Sequence, residues 1–129
     1  MFEIVAIISV IGFLGISIFQ FLLVLGYPLG HLAYGGNFDH QPVPKNYRIT
    51  SAFSIGVYLF FSLIVLEYTN FISIFNEPTL VSNFMWIIAI FLSLGVVKNS
   101  VSRSKPERNL WTPIVFVLAL CSYVLIFFS

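Results

Sequence analysis

Residues 98–113 read KNSVSRSKPERNLWTP, and this stretch orients the rest of the chain. It carries four of the six basic residues, Lys98, Arg103, Lys105 and Arg108. An apolar run lies on either side of it, and Trp111 marks the start of the second. Ser104 and Glu107 fit the S-x-x-E capping box, with Pro106 in the first turn where a missing N–H costs nothing. A helix therefore begins here, and Pro113 shortly afterwards predicts a bend at its start. A cluster of Lys and Arg followed by Trp is what the boundary between membrane and cytoplasm selects.

Composition sets the solvent. The chain has 129 residues, of which 59% are hydrophobic and 9% charged. Its mean hydropathy is +1.00. Soluble domains carry about a quarter charged residues, so this chain cannot cover a surface for water and lipid must take that place. The length suits one domain. A net charge of +1 argues against nucleic acid as a partner. Cys121 is the one cysteine, so no intramolecular disulfide forms.

Four runs reach spanning length, which takes roughly 17 to 25 apolar residues. They cover about 4–25, 49–66, 80–97 and 110–128. None alternates as a barrel strand does, and helices satisfy their own backbone in hydrocarbon. The fold expected is all-α: a polytopic membrane protein with four transmembrane helices. The N-terminal run lacks the positive start of a secretory signal and reads as a retained helix.

Charge then orients the bundle. Lys45 and Arg48 lie in the first connection and the other four basic residues in the third; the second connection and both termini have none. Positive loops stay inside. Loops 1 and 3 are therefore expected on the cytoplasmic side of an inner (plasma) membrane, with both termini outside.

The first connection, GYPLGHLAYGGNFDHQPVPKNYR (Gly26–Arg48), is too rich in Gly and Pro for a long helix. Its Leu29–Tyr34 piece is apolar and is expected along the membrane surface. His31 and His40 have no cysteine or tight carboxylate cluster beside them, so no metal site is read here. In the second helix Ser51, Ser54, Tyr58 and Ser62 recur at helical spacing. With Gln20 in the first helix they form either a helix–helix seam or the wall of a polar path. Ala52 and Gly56, and Ala89 and Ser93, are small-xxx-small pairs. Asn76 or Thr79 is the expected cap of the third helix.

Two segments together resemble a family of small bacterial four-helix membrane proteins that is uncharacterised. Its first loop carries G-x-P-x-G-x-x-A-x-G-G before a Pro and an Arg-x-x-Ser, as in Gly26–Gly36, Pro44 and Arg48–Ser51. Its third loop carries N-x-x-S-x-S-x-x-E-R-x-x-W-x-P, as in Asn99–Pro113. Lys105-Pro106 stands where that family often has an aromatic. The resemblance implies the four-helix fold and its topology, and no activity. It also implies one cytoplasmic-face unit made of Gly26, Pro28, Gly30, Gly35, Gly36, Arg48, Asn99, Ser102, Ser104, Glu107, Arg108 and Trp111.

Motifs of known chemistry are missing. There is no Ser/His/Asp set, H-E-x-x-H, C-x-x-C or phosphate loop, and no cofactor is expected. Glu3 and Glu67 lie near the ends of their runs and not at the middle, which disfavours a proton-coupled carrier. The leading expectation is a non-enzymatic accessory or binding subunit. Its binding face would use Gly30, His31, Gly35, Gly36, Arg48, Asn99, Arg103, Ser104, Lys105, Glu107, Arg108 and Trp111. Its expected partners are anionic membrane lipids, further copies of itself or a larger membrane complex. The alternatives are an oligomeric channel or small-solute transporter along the hydroxyl stripe, and a headgroup enzyme using His31, Asp39, His40 and Glu107.

Overall fold

The computed structural model describes residues 2–33, 42–102 and 104–128. Four helices follow one another: α1 (Phe2–Leu25), α2 (Lys45–Tyr68), α3 (Pro78–Ser100) and α4 (Lys105–Phe128). One 3-10 turn, Gly30–Leu32, interrupts the first connection. Each of the four helices is long and apolar enough to cross a membrane. At about 1.5 Å per residue, the 24 residues of α1 rise about 36 Å. The hydrocarbon layer is about 30 Å thick. Helices α2, α3 and α4 accordingly run several residues past the apolar stretches read from the sequence. Hydropathy marks only the part that must avoid water, whereas helical hydrogen bonding continues into the interface.

The helices pack in ring order, with α1 against α2 and α4, and α3 against α4 and α2. Phe13, Ile64, Met85, Ile88, Leu92, Leu118 and Leu125 are fully buried between them. Ile11, Phe53, Leu94 and Phe128 are among many large apolar side chains that point outward. That inversion suits hydrocarbon as solvent and would be costly in water. Gly12 leaves room for Leu118 of α4, whose methyl group a Cβ there would collide with. On the α3–α4 seam Ala89 is buried and Ser93 Oγ lies 2.9 Å from the Tyr123 hydroxyl. Ala52 and Gly56, by contrast, face an open apolar groove between α2 and α3, and a Cβ on Gly56 would meet nothing within 4 Å.

Helix ends follow local chemistry. Gly26, at φ 92°, closes α1: its N–H donates to Leu23 O and that of Tyr27 to Leu22 O. This is the Schellman pattern, which needs a left-handed residue just past the helix. Asn70, at φ 67°, does the same for α2, with its N–H on Glu67 O and that of Phe71 on Leu66 O. Neither Asn76 nor Thr79 caps α3. Glu77 occupies the cap position without a side-chain bond, and Pro78 follows at the first helical position. Proline there already removes one orphan donor.

Candidate functional site

The polar sequence detail converges at the end of the bundle where α1 stops, α2 starts, and α3 hands over to α4. The α4 cap departs from the reciprocal box. The Glu107 N–H donates to Ser104 Oγ at 3.3 Å, as expected of a cap. The returning bond runs through a third residue. Ser104 N–H donates to Ser102 Oγ (3.2 Å), and the Ser102 hydroxyl donates to Glu107 Oε2 (2.9 Å). Arg108 fastens the same turn by donating from Nη1 to Ser102 O at 2.9 Å. Glu107 ends up 3% exposed.

The first connection is tied to this cap across the fold. The Ser104 hydroxyl donates to His31 O, and Trp111 Nε1 donates to Leu32 O at 2.9 Å. Trp111 also meets Phe19 of α1 edge to face, with ring centroids 4.8 Å apart. Leu23, Ala33 and Val43 form a small buried cluster beneath, with Phe19, Leu29 and Tyr47 packed on it. The Leu29–Ala33 segment thus turns inward against the helix ends and does not lie out along the surface. The Leu29 and Gly30 carbonyls accept from Leu32 and Ala33 N–H within the segment, and the α4 end supplies the donors for His31 O and Leu32 O. Arg48 covers the far side by donating from Nε to Val43 O at 3.0 Å. Its guanidinium lies against Gly26, where a Cβ would come within 3.1 Å.

Behind this lock is a cavity of about 100 Å³. Gln20 of α1, Tyr58 of α2, Lys98 and Asn99 of α3, and Glu107 and Trp111 of α4 line it. Ile16, Phe19, Leu32, Ala33 and Val115 complete the wall. The Oε1 atom of Gln20 is buried with no hydrogen-bond partner. Asn99 turns its amide nitrogen to Gly95 O at 2.9 Å. Lys98 is exposed.

The residues singled out from the sequence therefore separate. Gly30, His31, Asn99, Ser104, Glu107, Arg108 and Trp111 meet at one end. Arg48 flanks them, and Lys105 stands exposed at the first turn of α4. Gly35, Gly36 and Arg103 lie outside the described residues, as do Asp39 and His40. The polar stripe also divides. Gln20 and Tyr58 reach the cavity. Ser54 and Ser62 donate to carbonyls of their own helix, at Thr50 O (2.9 Å) and Tyr58 O (3.1 Å). Ser51 is buried on α2. Two polar side chains of the site, Lys98 and Ser102, were not among the candidates read from the sequence. Lys98 stood out only as one of a basic cluster. Ser102 was visible only within the resemblance, because a lone serine between a helix and a cap carries no signal.

At the opposite end a single carboxylate organises the connection. Glu67 Oε1 accepts from the N–H groups of Ile74 (2.6 Å), Phe75 (2.7 Å) and Asn76 (3.3 Å). Phe75 then packs on Phe60, with ring centroids 6.0 Å apart.

No family model matches this chain, and no curated protein or solved structure does.

Proposed function

We propose that this is a non-enzymatic, multi-pass protein of a bacterial inner membrane whose loop-1 and loop-3 end binds lipid headgroups. We place that end on the cytoplasmic side and both chain termini outside, because all six basic residues lie in these two connections or the helix ends beside them. The observation that carries the reading is the pair of long-range bonds, Ser104 to His31 O and Trp111 to Leu32 O. They hold a loop against a cap and leave a polar cavity just inside the basic rim. A loop that merely linked two helices would not need such fastening. The rim residues Lys98 and Lys105 are exposed and free to meet phosphate.

A conduction path within one chain has less support. Below the cavity Phe13, Ile64, Leu92 and Leu118 close the interior with apolar packing. Binding to a neighbouring membrane subunit is the competing use of the same face.

The test is purification with native lipid retained, followed by intact-mass analysis of the wild type and a Lys98→Glu, Lys105→Glu double variant of mapped topology. Co-purified phospholipid that the charge reversal reduces supports the proposal. A stoichiometric second protein in place of lipid, or lipid binding indifferent to the reversal, overturns it.

A further inference from the structure

The cavity behind Trp111 has two acceptors in its wall and a cation, Lys98, exposed at its mouth. The Trp111 indole N–H is committed to Leu32 O. The Ser102 hydroxyl is committed to Glu107, and the Asn99 amide nitrogen points to Gly95 O. The acceptors that border the space are the Glu107 carboxylate, 3% exposed, and the unpartnered Oε1 of Gln20. A buried carboxylate needs a positive partner or several donors, and among the described residues the Ser102 hydroxyl is the side-chain donor on Glu107. The aromatic rings of Tyr58 and Trp111 border the same space, and such faces attract cations. The volume, about 100 Å³, is that of about three waters at roughly 30 Å³ each. It admits a charged amine and its first carbons.

We propose that this cavity receives a primary ammonium group. Glu107 is its counter-ion and Gln20 Oε1 its second acceptor. Lys98, exposed at the mouth, takes a phosphate on the same molecule. The ligand class is a phosphoethanolamine, borne by an aminophospholipid or free in solution. Glycerol headgroups bring no cation to Glu107, and choline headgroups bring a cation with no N–H for Gln20 to accept. The inference rests on the headgroup-binding reading and sharpens it to one chemistry.

Native mass spectrometry of the delipidated full chain tests it, with phosphatidylethanolamine, phosphatidylcholine and phosphatidylglycerol titrated separately. Free phosphoethanolamine is added as a competitor. The expected result is a preference for phosphatidylethanolamine of about thirtyfold over phosphatidylglycerol, which brings Glu107 no cation, and of about tenfold over phosphatidylcholine, which lacks the charged N–H. Glu107→Gln keeps an acceptor for Ser102 and so preserves the cap, and it should abolish the preference over phosphatidylglycerol. Gln20→Leu, which removes no hydrogen bond of the cap, should reduce the preference over phosphatidylcholine about tenfold, the value of one hydrogen bond to a charged group. Displacement by free phosphoethanolamine identifies a soluble ligand as sufficient, and its absence assigns the site to the lipid. Equal binding of all three lipids, or an unchanged preference in Glu107→Gln, overturns the ammonium site while leaving headgroup binding standing. Binding of none of them overturns both.

Discussion

The two ends of the bundle face the same problem with opposite reach. Both must satisfy backbone groups in connections that sit at a membrane boundary. At the Glu67 end the solution is local: one carboxylate gathers the amides of residues 74–76 a few positions along the chain. At the α4 end it is long-range: a serine and a tryptophan take the carbonyls of His31 and Leu32 from a segment more than 70 positions away. A local clamp shapes its own loop and little else. A long-range clamp fixes the relative position of α1, α3 and α4, and so can enclose a cavity between them. That difference makes the α4 end the candidate site, although the Glu67 end has the larger open pocket, about 560 Å³.

The sharpest way to break this comparison is Ser104→Ala. It removes the α4 cap and the bond to His31 O together, and should cost about 2 kcal/mol, the upper range for a cap. Thermal unfolding in a fixed detergent reads the loss. Hydrogen exchange should rise at both 30–33 and 105–108; a rise confined to α4 would mean the connection between them is not real. Trp111→Phe keeps the ring and removes only the N–H. Leaving Leu32 O unpaired should cost about 1–2 kcal/mol, with faster proteolysis of the first connection and no change at residues 74–76. Glu67→Gln should cost about 1 kcal/mol by weakening charge-assisted bonds to partly exposed amides. Its exchange signature should stay within residues 67–76, and spread to the far end would erase the distinction between the two clamps. The smallest effect belongs to Ser54→Ala. Its hydroxyl bonds within its own helix, so the change should stay within about 0.5 kcal/mol. A large loss of stability or binding there would return weight to the hydroxyl stripe.

The polar stripe of α2 shows why periodicity stops short of a site. Equal spacing placed Ser51, Ser54, Tyr58 and Ser62 on one side of a helix. It carried no sign of which would turn to their own backbone. A helical serine has an acceptor one turn earlier within easy reach, and Ser54 and Ser62 take it. Tyr58 is too long to do so and reaches the cavity. The small pairs divide for a similar reason: Ala89 and Ser93 meet α4, whereas Ala52 and Gly56 face an open groove, and nothing in their spacing separates the two cases.

Four apolar runs without charge were enough to specify four helices long and apolar enough to span a membrane, because the demand that hydrocarbon places on the backbone is read from composition alone. The start of α4 was also legible, since a cap is a relation among residues 104, 106 and 107. The enclosure of Gln20 and Glu107 was not. It depends on main-chain carbonyls at His31 and Leu32, and a carbonyl has the same chemistry in every residue and leaves no mark in a sequence. Only when the chain folds back do the donors of Ser104 and Trp111 meet those carbonyls. What then borders one small space, an unpartnered amide oxygen and a buried carboxylate, is a property of the packed helices and of no single stretch.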